Sequence, residues 1–339
     1  MENTKTEEEK KEHSRDLCIV IVNYKTPELV NNCLATVVPQ IESLNAKVVI
    51  VDNASGDDSV SKIEAWISTQ PPIYHARINL VKSPINGGFS AGNNLGIIQE
   101  NAEYYLLLNS DTLVRENAIS TLLDRIRTDR NIGALGPQLE YEDGTPQISC
   151  FRRRSVASEL IRGAQIDAIS KLLKRKNIPI ANRRESLEID WISFACVMLP
   201  RAAIERVGLM DGQFFMYFED IEYCLRLKGA GYKIEQEKRA RVVHLRGGTS
   251  DVKKNSKAQK QLPDYFYRSR TRYFVLLGGK GKLLIANIAF TCGRLIRLTK
   301  RLVGKKPGPS IPGEWTGLWM DFFKKQKPVK QKLDYFSNK

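Results

Sequence analysis

The sequence predicts an α/β fold in which a mainly parallel sheet is flanked by helices. In the first half of the chain, short apolar runs recur, each ends in polar or glycine-rich residues, and each is followed by a stretch of helical character. Strands that alternate with helices form right-handed βαβ units, and such units build parallel sheets.

The elements can be assigned in order from these patterns. Strands are predicted at residues 17–23, 47–51, 77–82 and 104–111, then at 132–139, 189–199 and 241–244. Helices are predicted at 26–38, 59–67, 116–127 and within 211–231, and the loop 86–94 leads into a helix that ends near residue 100. Thr26-Pro27 has the form of a helix start, with a cap and a proline at the first helical position. Residues 141–144 predict a hairpin turn, and the basic stretch 151–186 predicts a mobile insertion.

The strand at 104–111 is the centre of the functional argument. It reads Tyr-Tyr-Leu-Leu-Leu-Asn-Ser-Asp, which is apolar enough for a strand buried on both faces. Asp111 would lie just beyond its carboxyl end, where open α/β sheets bind ligands. A carboxylate there can hold a divalent cation that in turn holds a diphosphate. The alternative is that Asn-Ser-Asp only turns the chain and caps the next helix.

Three further features are predicted to lie near the same sheet edge. They are Asp52 after the second strand, the loop around Gly87-Gly88, and the pair Glu219-Asp220. A glycine-rich turn before a helix lets a ligand approach backbone amides. Together with Asp111 these make four features at one sheet edge. It would be unusual for all four to be only turns or helix caps, so the sequence favours a ligand site at this edge.

Composition limits the protein class. The chain has 339 residues, of which 42% are hydrophobic, enough for a real core. Its six cysteines include no Cys-x-x-Cys pair, which fits a reducing compartment. Residues 1–16 are almost all polar and are predicted to be a disordered leader, not a signal peptide.

The positive charge is concentrated at the end of the chain. The net charge is +15, and residues 251–339 contain 21 Lys and Arg against 5 Asp and Glu. Such a segment predicts contact with nucleic acid or anionic lipid, although residues 320–339 can equally be a solvated tail. Residues 283–292 are apolar and basic residues follow up to 301, so this stretch is shorter than the roughly 20 residues of a membrane span. It predicts a helix in the membrane interface, or alternatively a helix packed on the domain.

Six motifs together resemble glycosyltransferase family 2, the inverting nucleotide-sugar transferases of the GT-A fold. They are Val22-Asn23-Tyr24, Val51-Asp52-Asn53-Ala54-Ser55, Asn86-Gly87-Gly88-Phe89-Ser90-Ala91-Gly92-Asn93-Asn94, Leu108-Asn109-Ser110-Asp111, Phe215-Met216-Tyr217-Phe218-Glu219-Asp220 and His244-Leu245-Arg246-Gly247-Gly248. The resemblance covers residues 17–248 and is strongest to the bacterial rhamnosyltransferase branch, which builds cell-surface polysaccharides from dTDP-L-rhamnose.

The resemblance implies a role for each matching residue. Asp220 matches the catalytic base and Glu219 its neighbour, while Asp111 matches the last acid of the metal-binding Asp-x-Asp motif. The first acid of that motif is Asn109 here, so His244 is a candidate second ligand for Mg²⁺ or Mn²⁺. Asp52 matches the residue that bonds the pyrimidine base. The residues expected to line the donor pocket are Asn23, Asn53, Gly87, Gly88, Asn94 and Asn109.

Two further side chains are candidates from their chemistry. Arg270, in the run Tyr-Arg-Ser-Arg-Thr-Arg-Tyr with Arg268 and Arg272, can cover the donor diphosphate, or the run can be a basic helix face. Trp191 can stack on a sugar or belong to the core.

We therefore expect three segments: the leader 1–16, a GT-A domain at 17–250, and a basic helical extension at 251–339. The expected reaction moves a sugar, L-rhamnose by resemblance, from a nucleotide diphosphate to a growing, lipid-linked cell-surface glycan. The expected location is the cytoplasm, peripherally at the inner face of the cell membrane. A UDP-hexose donor on the same fold is the first alternative. A non-catalytic nucleic-acid-binding protein is the second, which the confinement of charge to the chain end disfavours.

Overall fold

A computed structural model describes residues 15–180, 188–245, 251–299 and 310–329. Its strands are β1 Arg15–Asn23, β2 Ala46–Asp52, β3 Ile78–Lys82, β4 Ala102–Asn109, β5 Thr112–Val114, β6 Ile132–Glu140, β7 Cys150–Phe151, β8 Trp191–Ile192, β9 Cys196–Pro200 and β10 Lys233–His244. Its helices are α1 Pro27–Val37, α2 Ser59–Ser68, α3 Pro72–His75, α4 Gly88–Ile97, α5 Ala118–Arg127, α6 Val156–Ala164, α7 Asp167–Leu172, α8 Arg201–Val207, α9 Glu219–Gly229, α10 Asp251–Lys257, α11 Asp264–Leu298 and α12 Glu314–Gly317. Short 3₁₀ helices occupy Val38–Ile41 and Lys174–Lys176.

Within these residues an eight-stranded sheet runs in the order β3-β2-β1-β4-β9-β6-β10-β5. The first four strands are parallel, which confirms the predicted α/β fold. β9 is antiparallel to β4 and to β6, β10 is parallel to β6, and β5 is antiparallel to β10. The fold is therefore a mixed, mostly parallel sheet, as predicted.

Strand β1 shows why the apolar runs form central strands. Leu17, Ile19 and Ile21 belong to the core on one face of the sheet. Cys18 and Val20 belong to the core on the other face. A strand buried on both faces needs a continuous apolar run, and this is the pattern in the sequence.

Two predictions in the second half need correction. The run 189–199 is not one strand, because residues 193–195 separate β8 from β9 and the two pair with different partners. Residues 151–180 of the predicted mobile insertion form α6, α7 and a short strand, and α6 packs against α11. Backbone contact between them is close, because a Cβ on Gly163 would lie 2.2 Å from the Phe290 carbonyl oxygen.

The boundaries also differ at several ends. Arg15 and Asp16 already belong to β1, while the rest of the predicted leader, residues 1–14, lies outside the described residues. The final strand, predicted at 241–244, extends back to Lys233 with a register shift between Glu237 and Arg241. The hairpin turn at 141–144 is present, with the Gly144 N–H donating to the Tyr141 carbonyl at 2.9 Å.

The C-terminal extension contributes helices that contact the sheet domain. The α11 backbone leaves helical geometry at Gly278 and Gly279, so two helical segments meet there. Among the described helices, α11 has the length and the hydropathy, 1.4 over 18 residues, of a candidate membrane span, judged by length and composition only. A buried ion pair between Arg272 and Asp211 attaches its first segment to the loop that precedes α9. The domain boundary at residue 250 stays a prediction.

Candidate active site

A cavity of about 610 Å³ opens at the carboxyl ends of β1 and β4. It is lined by residues from every predicted motif region, including Asn53, Gly88, Asn109, Asp111, Glu219, Asp220 and His244. The carboxyl edge of a parallel sheet is the expected ligand position in this class of fold. The sequence motifs thus converge on one cavity.

The donor-side wall is held by Asn53, which follows β2. Its amide nitrogen donates to the Asn86 side chain at 2.9 Å and to the Gly88 carbonyl at 3.1 Å. Its amide oxygen accepts from the Gly87 N–H at 3.3 Å. Asn53 and Gly88 line the cavity, whereas Gly87 does not. The asparagine therefore fixes the glycine loop against the end of β2.

Gly88 is required because two loops meet there. Its φ is +80°, and a Cβ would lie 2.0 Å from the Phe215 carbonyl oxygen. The next amide, of Phe89, donates to that same oxygen at 2.7 Å. The glycine thus allows the loop before α4 to touch the loop before α9, where the carboxylate pair lies.

Asp52 and Asn23 form a buried polar layer directly behind the cavity wall. The Asn23 amide donates to one Asp52 carboxylate oxygen at 2.7 Å, and the Ser55 hydroxyl donates to the same oxygen at 2.6 Å. Asp52 is buried, and neither it nor Asn23 lines the cavity, although Val22 and Asn53 beside them do. The predicted contact of Asp52 with a base stays a prediction.

Asn94 is a correction. Its amide donates to the Met210 carbonyl at 2.7 Å and accepts from the Met210 N–H at 3.1 Å, so it joins α4 to the loop after α8. It does not line the cavity, whereas its neighbour Asn93 does. Asn94 therefore has a structural contact with residue 210, and the predicted role of the glycine loop in donor binding stays a prediction.

Asp111 and His244 meet because β5 and β10 pair in register. His244 lies opposite Thr112 in the antiparallel pair, which brings its imidazole beside the preceding Asp111. The Asp111 Oδ2 and His244 Nε2 atoms are 3.6 Å apart, and both residues are buried at the cavity. The His244 Nδ1 atom is buried and has no hydrogen-bond partner within the part of the chain that the structure describes. Asn109 also lines the cavity, two residues before Asp111.

This pair fits a divalent cation only as a partial ligand set. Within the described ranges, no group of three or more His, Cys, Asp and Glu residues lies close enough to hold a metal. Mg²⁺ is commonly bound through one or two carboxylates, with substrate phosphates and water completing its shell. Asp111 and His244 can therefore hold a cation that takes its other ligands from the donor diphosphate and from water.

Glu219 and Asp220 begin α9 and face the same cavity. Burial raises the pKa of Asp220 to about 7, against the lowering effect of the Ile221 N–H and the Arg154 guanidinium. Burial, and then repulsion from Asp220, raise the pKa of Glu219 well above its usual range. Desolvation therefore outweighs the helix N-terminus, which favours the ionised carboxylate. Near pH 7 Asp220 is half ionised, and Glu219 holds its proton more tightly than an ordinary glutamate does.

The turn into α9 is strained. Tyr217 and Phe218 have φ values of 70° and 71°, in the left-handed region that bulky residues seldom adopt. Two such residues in succession cost free energy, on the order of 1–3 kcal/mol each, and persist where the surrounding structure enforces them. Here they direct the chain so that Tyr217, Glu219 and Asp220 all reach the cavity.

The prediction that Arg270 covers the donor diphosphate also needs correction, because Arg270 does not line the cavity. It is 1% exposed, and its Nη2 and Nε atoms donate to Glu159 Oε2 at 2.8 and 3.0 Å. Its Nη1 atom donates to the Asn287 side chain at 2.7 Å. Because its guanidinium is used inside the contact of α6 with α11, Arg270 does not cover a diphosphate.

The two arginines beside it are also accounted for. Arg272 forms a buried ion pair with Asp211, and Arg268 is an exposed side chain 4.0 Å from Asp264 on the same helix. The run Tyr-Arg-Ser-Arg-Thr-Arg-Tyr therefore joins the extension to the domain.

An aromatic wall was not predicted as a whole from the sequence. Phe151 and Trp191 stack with ring centroids 4.1 Å apart and an interplanar angle of 16°, and both line the cavity. The Trp191 indole N–H donates to the Arg152 carbonyl at 2.9 Å. Tyr24 and Tyr265 line the cavity as well. Trp191 was the one signal in the sequence, and its alternative as a pure core residue is excluded by its position.

Comparison with known proteins agrees with this geometry. The family described as Glycosyl transferase family 2 matches residues 18–208. That span ends before Glu219, so the assignment of the base depends on the motif and on the cavity. Among solved structures, the mannosyltransferase PcManGT from Pyrobaculum calidifontis, in complex with GDP-Man and Mn²⁺, has a TM-score of 0.54 at 14% identity and covers 87% of this chain and 77% of its own. That likeness concerns the fold alone.

Curated relatives act in glycan biosynthesis. The low-salt glycan biosynthesis hexosyltransferase Agl10 of Haloferax volcanii is 29% identical over 234 residues, covering 68% of this chain and 67% of its own. The N-acetylglucosaminyl-diphospho-decaprenol L-rhamnosyltransferase of Mycobacterium tuberculosis is 28% identical over 213 residues, covering 58% and 66%. The rhamnosyltransferase WbbL of Escherichia coli is 21% identical over 210 residues, covering 58% and 76%. With the family match spanning more than half of the chain, this protein belongs to glycosyltransferase family 2 and is a nucleotide-sugar-dependent, rhamnosyltransferase-like enzyme.

Proposed function

We propose that this enzyme transfers L-rhamnose from dTDP-L-rhamnose to a sugar carried on a polyprenyl diphosphate. The observation that carries the proposal is that one cavity is lined both by a carboxylate pair with raised pKa values and by the Asp111–His244 pair. The first can remove a proton and the second can help to hold a diphosphate. The donor and the acceptor are inferred from two relatives, the mycobacterial L-rhamnosyltransferase and a dTDP-rhamnosyl transferase of Shigella flexneri that is 24% identical over 237 residues.

The proposed reaction is one in-line displacement with inversion. The acceptor hydroxyl oxygen forms a bond to the anomeric carbon as the bond from that carbon to the diphosphate oxygen breaks. The hydroxyl proton passes to the Asp220 carboxylate, which acts as the general base. A divalent cation held by Asp111 and His244 would stabilise the negative charge that develops on the leaving diphosphate.

The environment of Asp220 suits a base that works near neutral pH. A pKa of about 7 gives a carboxylate that is more basic than one in water and is still half ionised at pH 7. Burial raises the pKa of Glu219 well above its usual range, which favours a protonated carboxyl group that can donate a hydrogen bond. Its Oε2 atom is buried and has no hydrogen-bond partner among the described residues. The two carboxyl groups therefore have different tasks at the same pH.

The apolar wall supports a deoxysugar. Phe151 and Trp191 present aromatic surface, and the cavity is lined further by Ile148, Phe215 and Met216. A 6-deoxyhexose carries a methyl group where a hexose carries a hydroxymethyl group, so it loses less hydration on contact with such a wall. A UDP-hexose donor is the alternative, favoured by the hexosyltransferase from Haloferax volcanii.

The proposal is tested by titrating the protein with dTDP-L-rhamnose, UDP-glucose, UDP-galactose and GDP-mannose in a calorimeter, with Mn²⁺ present. We expect dTDP-L-rhamnose to bind at least tenfold more tightly than the others. Tighter binding of a UDP-hexose would overturn the rhamnose assignment and leave the glycosyltransferase assignment intact.

A further inference from the structure

The second segment of α11, after the break at Gly278 and Gly279, is apolar on two opposite faces. One face is buried and includes Leu283, Ala286 and Phe290. This face packs on α6, where a Cβ on Gly293 would lie 2.4 Å from the Leu160 carbonyl oxygen. The folded domain thus already occupies that side of the helix.

The opposite face is also apolar but has no protein against it among the described residues. Ile285, Ile288 and Leu295 are 54%, 50% and 60% exposed. Their spacing, with the exposed Cys292 between the last two, follows the helical repeat and makes a continuous stripe. A helix on the surface of a soluble domain normally carries polar residues on this side.

The segment that crosses α11 adds exposed aromatic residues. Trp315, Trp319 and Phe323 are 55%, 39% and 86% exposed. Hydrogen bonds tie this segment to the helix: the Asn287 amide donates to the Leu318 carbonyl, and the Lys280 ammonium donates to the Phe323 carbonyl, each at 2.8 Å. The segment that carries the exposed aromatic residues is therefore attached to the same helical segment as the apolar stripe.

This concentration of apolar surface is local. Of the fifteen large hydrophobic residues that are exposed in the described part of the chain, nine lie between Leu284 and Phe323. Single exposed apolar residues are normal on a protein surface, but a contiguous patch marks an interaction site.

Charge identifies the partner. Residues 280–299 and 310–329 contain seven Lys and Arg, of which Arg297 is buried, against two acidic residues, Glu314 and Asp321. Both acids already contact basic side chains, Glu314 with Arg162 and Asp321 with Lys324. Apolar side chains with tryptophan and lysine around them match the boundary between acyl chains and anionic headgroups.

We propose that the surface formed by the exposed side chains of residues 284–298 and 315–323, the docking face, lies in the interface of an anionic lipid bilayer. The helix lies along the membrane and does not cross it, because its backbone is broken at Gly278–Gly279 and its other face is buried against α6. Tyr265, in the first turn of α11, lines the active-site cavity, and the second segment of α11 carries much of the docking face, so α11 connects the two. A docking face near the cavity would bring a lipid-carried acceptor within reach of the active site. This last step rests on the proposed function, whereas membrane binding itself does not.

The inference is tested with the full chain and vesicles of phosphatidylcholine with or without 30% phosphatidylglycerol. Flotation should bring the protein up with the anionic vesicles, and salt should release it, because each basic residue near an anionic surface contributes on the order of a fivefold gain in binding. Ile288→Glu should weaken binding at least tenfold. Leu172→Glu, at an 83% exposed leucine on α7, is the matched control and should bind as the wild type does.

Position in the bilayer is read from Cys292, the exposed cysteine among those described. An environment-sensitive fluorophore on it should shift to the blue with anionic vesicles. The same label on Ile73→Cys in a Cys292→Ser background should not shift.

Equal flotation of the Ile288→Glu and wild-type proteins would overturn the proposal. Resistance to alkaline carbonate extraction would overturn it as well, because it would indicate a helix that spans the membrane. A dimer dissociated by Ile288→Glu without vesicle binding would identify a second copy as the occupant and overturn it too. Nucleotide-sugar calorimetry on the same variant separates these outcomes from failure of the proposed function.

Discussion

Replacing Asp220 by asparagine is expected to stabilise the folded protein increasingly as the pH rises. In the folded state burial raises the pKa of Asp220 from 3.8 to about 7. Below about pH 4 the carboxyl group is protonated in both states and does not affect stability. As the pH rises from about 4 through 7, the group ionises more readily in the unfolded chain than in the folded protein, so the free energy of unfolding decreases. Three pKa units correspond to about 4 kcal/mol, and asparagine removes this loss because it cannot ionise.

The assay is urea unfolding of both proteins at pH 5 and pH 8. The variant's advantage should be about 2 to 3 kcal/mol larger at pH 8 than at pH 5, since most of the penalty develops between these values. Asp124→Asn, at an exposed position on α5, is the control and should change stability equally at both pH values. An Asp220→Asn advantage that is the same at pH 5 and pH 8, or that reverses at pH 8, would refute the raised pKa and the desolvated site that causes it.

Three other variants test separate parts of the structure. Gly88→Ala should destabilise the protein by more than about 2 kcal/mol and weaken donor binding, because Gly88 has a positive φ and a Cβ there would collide with the Phe215 carbonyl oxygen. Gly56→Ala is the control: its φ is +67° but the space around it is open, so it should cost only about 1 kcal/mol. Equal shifts of the melting temperature in the two variants would contradict this. For Glu159, burial alone raises the pKa, but three arginines outweigh it and hold the pKa at about 2. The stabilising contribution of ionised Glu159 is therefore complete above about pH 4.5 and is lost as the pH falls through about 2. Glu159→Gln should lower the free energy of unfolding by about 3 kcal/mol, measured with urea at pH 7. A decrease of less than about 1 kcal/mol would argue against the buried network of Glu159 and its arginines. Asp111→Asn should abolish the gain in donor affinity on adding Mn²⁺, measured by calorimetry, and should weaken Mn²⁺ binding alone; an unchanged gain would remove Asp111 from the site.

The sequence predicted the parts of the site that are local in the chain. Asp111 follows a buried strand, and Glu219-Asp220 opens a helix after an aromatic run; both signals lie within about ten residues, and both lead to the cavity. The parallel half of the sheet was likewise predictable, because strands buried on both faces leave continuous apolar runs.

The incorrect predictions concern contacts between distant residues. Arg270 was assigned to the donor because nothing in its neighbourhood reveals that Glu159, 111 residues earlier, takes its guanidinium. Phe151 was missed because it lies in a basic stretch without periodicity, and its partner Trp191 is far away in the chain. The raised pKa of Asp220 is likewise not visible in the sequence, because burial is set by the packing of residues that are distant in the chain.

Single-turnover transfer from labelled dTDP-L-rhamnose to a polyprenyl-diphosphate-linked N-acetylglucosamine tests the central claim most directly. We expect the wild-type protein to form the labelled lipid product with inverted anomeric configuration. Asp220→Asn should bind the donor with unchanged affinity and react about 10² to 10⁴ times more slowly, whereas Glu219→Gln should be milder because glutamine resembles a protonated glutamate. Wild-type turnover in Asp220→Asn would contradict the assignment of this carboxylate as the base on which the account depends.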